Sequence, residues 1–162
     1  MSSKPPKVGI QLGKINLKKF SAIAIGIPQK NQKAKLPNSP LIKGIEKNFG
    51  INLAAELKKW PDYVAKSGEI IEIPIATGNK GLIRIYLVGV GESKREDFRK
   101  AGISIARKVK GSGQQVALAV VENRLFIENF VTSLILASYV WNQKSPKKDE
   151  KGAAEFVFIE KG

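Results

Sequence analysis

Leu82-Ile-Arg-Ile-Tyr-Leu-Val-Gly-Val-Gly-Glu-Ser-Lys-Arg-Glu-Asp-Phe98 is the segment on which the fold turns. Its first part, through Val90, is rich in β-branched and apolar residues and reads as a strand. Gly89-Val-Gly-Glu-Ser93 follows, and Ser93-Lys-Arg-Glu96 has the spacing of a capping box, so a helix is predicted to begin there. Phe98, Ala101, Ile105 and Val109 recur on one helical face, and Gly111 marks its end. A strand that passes through a glycine turn into an amphipathic helix is half of a βαβ unit, which points to the α/β class.

Upstream, Ile70 to Ala76 is a second strand, separated from the first only by Thr77-Gly-Asn-Lys-Gly81. A gap that short fits an antiparallel hairpin better than a crossover. Phe20 to Ile27 is apolar on both faces and stops at Pro28, as a strand buried on both sides should, and Val8 to Leu12 reads as a short first strand. Residues 28–40 hold three lysines, two internal breakers and no acid, and are read as a solvated loop. Ser39-Pro40 then supplies an N-cap and a proline at the first helical position, and Asn52 caps a second helix that Pro61 stops, with a break at Gly50.

Downstream, Val116 to Val121 is a continuous apolar strand. A long helix is predicted from about Asn123 to Asn142, with Phe126, Phe130, Leu134, Ala137 and Trp141 on one stripe. Ile127, Val131 and Ile135 make a second apolar side, and one of the two faces is expected to meet another domain or subunit. Glu155 to Ile159 is the last strand. The order β, β, α, β, β, α, β, α, β predicts one three-layer α/β domain spanning 1–162, a mixed sheet covered by helices on both faces. Residues 1–7 are expected to be disordered and 143–153 to form a basic loop. A last strand ending three residues before Gly162 suggests a domain cut from something longer.

The chain carries 28 Lys plus Arg against 14 Asp plus Glu, a formal charge of +14, and has neither cysteine nor histidine. Disulfide frameworks, thiolate zinc sites, serine triads and histidine-based acid–base catalysis are thereby excluded. No stretch has the form of a signal peptide or the length of a membrane span, so a cytoplasmic setting is expected. Residues 1–50 hold ten lysines and a single acid, Glu46. Lysine is a flexible point charge, suited to holding phosphates and poor at reading bases. Lys14, Lys18, Lys19, Lys30, Lys33 and Lys35 are the candidates for nucleic-acid contact. Six engaged lysines would give a slope of log affinity against log salt of about −5. The opposing reading is a solvated face, favoured by the scarcity of aromatic residues that could stack bases.

Gly89, Gly91 and Ser93 are candidates for a phosphate loop at a helix N-terminus, although Lys94 occupies the third glycine position of a dinucleotide fingerprint. A plain strand-to-helix turn is the simpler reading. Glu69 with Glu72, or Glu96 with Asp97, could be imagined as a metal pair, but acids beside lysines are more often surface charge.

Four segments taken in order resemble one family: Phe49-Gly-Ile-Asn-Leu-Ala-Ala55; Ser67-Gly-Glu-Ile-Ile-Glu-Ile-Pro74; Tyr86-Leu-Val-Gly-Val-Gly-Glu92 with Asp97-Phe-Arg-Lys-Ala-Gly102; and Ser138-Tyr-Val-Trp-Asn-Gln-Lys-Ser145. They are similar to the N-terminal domain of bacterial leucyl (cytosol) aminopeptidases, and the likeness runs from Val8 onward. The resemblance implies a macro-domain-like fold ahead of a separate C-terminal catalytic domain. That domain would hold two divalent metals, zinc or manganese, on lysine, aspartate and glutamate ligands, in a protein that forms homo-oligomers. The family's Asn-Thr-Asp-Ala-Glu-Gly-Arg signature is absent here, and Gln143 stands where an aromatic often precedes the Lys-Ser pair. No catalytic residue and no metal ligand is therefore assigned to this chain. Its implied role is that of an accessory domain serving assembly or active-site access, with a nucleic-acid module or a macro-like ADP-ribose binder as alternatives.

Overall fold

The computed structural model describes residues 7–12, 19–77, 81–110, 112–119, 124–144 and 155–160. Its elements are β1 (Lys7–Leu12), β2 (Ala22–Ile27), β3 (Gln29–Lys30), β4 (Lys33–Ala34), α1 (Pro40–Phe49), α2 (Leu53–Lys58), β5 (Ile70–Ala76), β6 (Leu82–Gly89), α3 (Arg95–Lys108), β7 (Gln115–Ala119), α4 (Arg124–Lys144) and β8 (Glu155–Glu160). Six strands form one sheet in the order β1-β8-β7-β2-β6-β5. All neighbours are parallel except β5 and β6, whose register pairs Ile73 with Ile85 across an antiparallel hairpin. The three-layer mixed α/β architecture is thus as the sequence predicts.

Strand β2 lies at the centre, between β6 and β7, and every one of its residues is buried. Its two faces differ in size. Ala22 and Ala24 point into the core beneath α3 and α4, whereas Ile23, Ile25 and Ile27 point into the core beneath α1 and α2. The small side leaves room for Phe98, Phe130 and Phe156, and the large side meets Ile42, Ile45 and Leu53. The β6–α3–β7 connection passes over β2, so the strand order reverses at β2. In open α/β sheets the crevice at the strands' carboxyl ends beside such a switch point is where ligands tend to lie.

Local signals fix the helix ends. The Ser39 side chain accepts from the Ile42 N–H at 3.2 Å, Pro40 opens α1, and Gly50 closes it at φ 63. The Asn52 side chain accepts from Ala55 N–H at 3.0 Å to start α2. At the edge of the sheet, the Arg84 N–H donates to Ser21, toward β2, so its partner Pro74 turns its nitrogen to the open side. Proline is tolerated there because no ladder donor is lost.

Several boundaries differ from expectation. Helix α3 begins one residue later than the Ser93 box implies: Lys94 is the N-cap and its N–H donates to the Asp97 carboxylate at 2.9 Å. Asp97 stands three residues after Lys94, as Glu96 does after Ser93, so the same signal fits both frames. The predicted solvated loop at 28–40 contains the β3–β4 hairpin, turned by Asn31 and Gln32 at φ 51 and 62. Lys7 belongs to β1, and residues 143–144 belong to α4. Gly111, residues 1–6, the end of the Val116–Val121 strand and the rest of the 143–153 loop lie outside the described residues. On α4, Phe130 and Leu134 are fully buried and Ala137 packs partly against them; the side chains of Phe126 and Trp141 lie outside the described set.

Candidate functional site

The carboxyl ends of β2 and β6 bring together the β3–β4 hairpin, the turn Gly89 to Lys94 and the segment Tyr63 to Gly68. Gln29 N–H donates to Gly91 carbonyl at 2.7 Å, which ties the hairpin to the turn. Val90 N–H donates to Ile27 carbonyl at 3.0 Å, and Gly91 N–H to Ala65 carbonyl at 3.1 Å. Gly89 N–H donates to Glu69 carbonyl at 2.7 Å, and Ser93 N–H to Val90 carbonyl at 2.9 Å.

These bonds decide what the turn can do. A phosphate cradle needs backbone donors that point outward and are free. In Gly89, Val90, Gly91, Ser93 and Lys94 the N–H groups are all engaged inside the protein. Gly89 itself is required by packing: a Cβ there would overlap the Lys66 carbonyl oxygen and lie 2.6 Å from the Ala65 carbonyl carbon. Gly91 and Ser93 hold positive φ, 52 and 61, beside the Asp97 carboxylate rather than around an open anion site. The geometry favours the plain turn for all three positions.

The acids considered as metal pairs have structural work. One Glu69 carboxylate oxygen accepts from Val64 N–H at 2.8 Å and Ala65 N–H at 2.9 Å, holding the loop under Gly89. Glu72 lies 3.5 Å from Arg84, Glu96 is bonded to Arg99, and Asp97 caps α3. Among the described residues no group of three or more acids is placed to hold a metal ion, so they do not fit a two-metal centre. Tyr63 donates its hydroxyl to Leu87 carbonyl at 3.0 Å, and burial raises its pKa. Burial, with the nearby charge of Glu72, pushes Tyr86 up to about 12, so both phenols stay protonated and neither is set up as a base.

The lysine candidates separate. Lys30 and Lys33 face each other directly in the hairpin register, and Lys35 joins them: its ammonium is held below the usual lysine range by side-chain contact with Lys30 and by that neighbour's like charge. Lys19 lies at the other end of β2, on the rim of a cavity of about 600 Å³ floored by Phe20, Phe49, Ile75 and Ile83. Six strand residues at about 3.3 Å each put the two groups roughly 20 Å apart. Lys14 and Lys18 lie outside the described residues. Of the four described candidates, Lys30, Lys33 and Lys35 therefore share one surface. Among the described residues no helix is long and apolar enough to cross a membrane.

Sequence reasoning missed Ala65, buried at φ 61, and Glu69 as the residues that build this end of the sheet. Their role depends on contact with Gly89, some twenty residues on, and no local pattern marks it.

The family described as "Cytosol aminopeptidase family, N-terminal domain" matches residues 24–147. Among solved structures, a tomato leucine aminopeptidase mutant is similar at a TM-score of 0.63 and 24% identity, over 100% of this chain and 34% of that one. The macrodomain of Mycobacterium tuberculosis DarG is similar at 0.63 and 13% identity, over 95% of this chain and 97% of that one. The bottromycin maturation enzyme BotP in complex with Mn is similar at 0.50 and 14% identity, over 87% and 26%. At these identities the structural likeness speaks to the fold alone. The chain spans about a third of the length of the tomato protein. A search of curated proteins finds no match.

Proposed function

The chain belongs to the cytosol aminopeptidase family as its N-terminal domain, and from that premise we propose that it serves a longer aminopeptidase as a non-catalytic accessory domain. The observation that carries this reading is the family match across residues 24–147. Chemistry would reside in a C-terminal catalytic domain holding two divalent metals, zinc or manganese, in an oligomeric cytoplasmic enzyme. The engaged acids of this chain support placing the metals elsewhere. Leu136, a large apolar side chain 58% exposed on α4, supports that helix as a face toward that domain or another subunit.

Hydrolysis assays check the division of labour. The 162-residue chain with added Mn²⁺ or Zn²⁺ is expected to cleave leucine amides no faster than the metal salt alone. Metal-dependent turnover that tracks the purified protein would overturn it.

A second reading rests on the Lys30–Lys33–Lys35 surface, the described place where nucleic acid would have phosphates to meet. Three contacts reduce the expected salt slope from about −5 to about −3. Neutralising all three lysines with glutamine should flatten it, and an unchanged slope would remove the hairpin from consideration. For the ADP-ribose alternative, the turn from Gly89 to Ser93 gives little support, since the Gly89, Val90, Gly91 and Ser93 donors are engaged.

A further inference from the structure

The flank between α3 and the approach to β5 forms a groove of about 550 Å³ that the accessory reading does not use. Lys100, Arg107 and Lys108 line it, with Ile70 and Ile103 between them and no acid among the lining residues. One wall is fixed at main-chain distance. Ser104 donates its hydroxyl to Gly68 carbonyl at 2.6 Å, and a Cβ at Gly68 would lie 3.3 Å from the Lys100 carbonyl oxygen. The nearby acids are committed elsewhere: Glu69 to the Val64 and Ala65 N–H groups, Glu96 to Arg99, Glu72 to Arg84.

The spacing of the cations selects the ligand. Lys100 and Lys108 are eight residues apart on one helix, about 12 Å along its axis. A single phosphate is too small to reach both ends. An extended peptide advances about 3.3 Å per residue, so carboxylates three or four residues apart span the same length. The apolar strip between the cations suits a hydrophobic side chain carried between those two acids. A rigid duplex would touch the rim lysines without entering to meet Ile70 and Ile103. We propose that this groove binds an extended acidic peptide segment, two carboxylates bracketing an apolar residue.

A fluorescein-labelled seven-residue peptide, with glutamates at its second and sixth positions around a central leucine, is titrated into the full chain and followed by anisotropy. Saturable binding is expected. Lys100→Glu with Lys108→Glu should weaken it about tenfold, as expected for losing one charge contact at each end. Lys43→Glu with Lys47→Glu makes the same change in net charge on α1, which packs on the opposite face of the sheet from α3, and should alter affinity less than about twofold, because charges beyond a Debye length are screened at 0.15 M salt. Serine in place of the peptide's leucine should also weaken binding severalfold. No binding, equal losses from the two charge reversals, or indifference to the leucine would each overturn the proposal. Displacement of the peptide by duplex DNA in a Lys100- and Lys108-dependent manner would overturn it in favour of nucleic acid. Circular dichroism confirms that each variant is folded, and Lys100→Ala with Lys108→Ala replaces the reversal if it is not.

Discussion

Replacing Gly89 by alanine is expected to cost more than about 4 kcal/mol, a large share of the 5 to about 15 kcal/mol that holds an ordinary domain together. The added methyl would meet main chain, the Lys66 carbonyl oxygen and the Ala65 carbonyl carbon and oxygen, the latter two at 2.6 and 2.7 Å. Neither partner can withdraw. Gly68 N–H donates to Gly89 carbonyl at 2.9 Å, Gly91 N–H to Ala65 carbonyl at 3.1 Å, and Glu69 clamps the Val64 and Ala65 N–H groups. Ala65 is itself fully buried with φ 61, so the loop has no second conformation to adopt without breaking these bonds. Overpacking typically costs 1 to about 3 kcal/mol where side chains can shift, and more where backbone must. Gly44→Ala provides the matched control: nothing lies within 4 Å of the position a Cβ would take on α1, so gain of helix propensity should stabilise by about 0.5 to 1 kcal/mol. Urea titrations of the two variants, read by circular dichroism, should move in opposite directions. A Gly89→Ala midpoint near that of the parent would show that the 65–66 segment yields, and would sink the packing account.

The same contrast explains which parts of the fold could be read from residues alone. Signals contained within a few residues were legible: the doubly apolar run before Pro28, the Ser39-Pro40 start of α1, the Asn52 cap, and the short gap that forced β5 and β6 into a hairpin. Where two local signals compete, the sequence leaves the frame open, as with Ser93-to-Glu96 and Lys94-to-Asp97. The β3–β4 hairpin was missed because its turn uses Asn31 and Gln32 where glycine usually supplies positive φ. Site geometry was least legible, for a physical reason. Charge counted along the chain says nothing about which end of β2 a lysine occupies, and so Lys19 stands apart from the Lys30, Lys33 and Lys35 cluster. The cation row of α3 gains meaning only beside Gly68, which is more than thirty residues away in sequence from each of its members.

Phe130→Ala should lower stability by about 3 to 5 kcal/mol, the range for deleting a buried aromatic ring. The ring is fully buried in the core shared by β2, β6, β7, α3 and α4. Ala22, Ala24, Ala101 and Ala106 also line that core, and their short side chains cannot extend into the space left by the ring. The helices cannot close over it either, because α3 and α4 already touch at main-chain distance. A Cβ on Gly102 would lie 2.9 Å from the Phe130 carbonyl oxygen and would also collide with the Ser133 hydroxyl. A cavity should therefore persist, placing the loss toward the upper end of the range. Amide exchange gives a sharper readout than the midpoint: protection should fall more in α4 between residues 127 and 138 than in β2, whose bonds to β6 and β7 do not depend on the ring. A loss below about 1.5 kcal/mol, or equal deprotection of β2, would mean that the α3–α4 layer repacks freely. The rigid crossing at Gly102 would then be wrong.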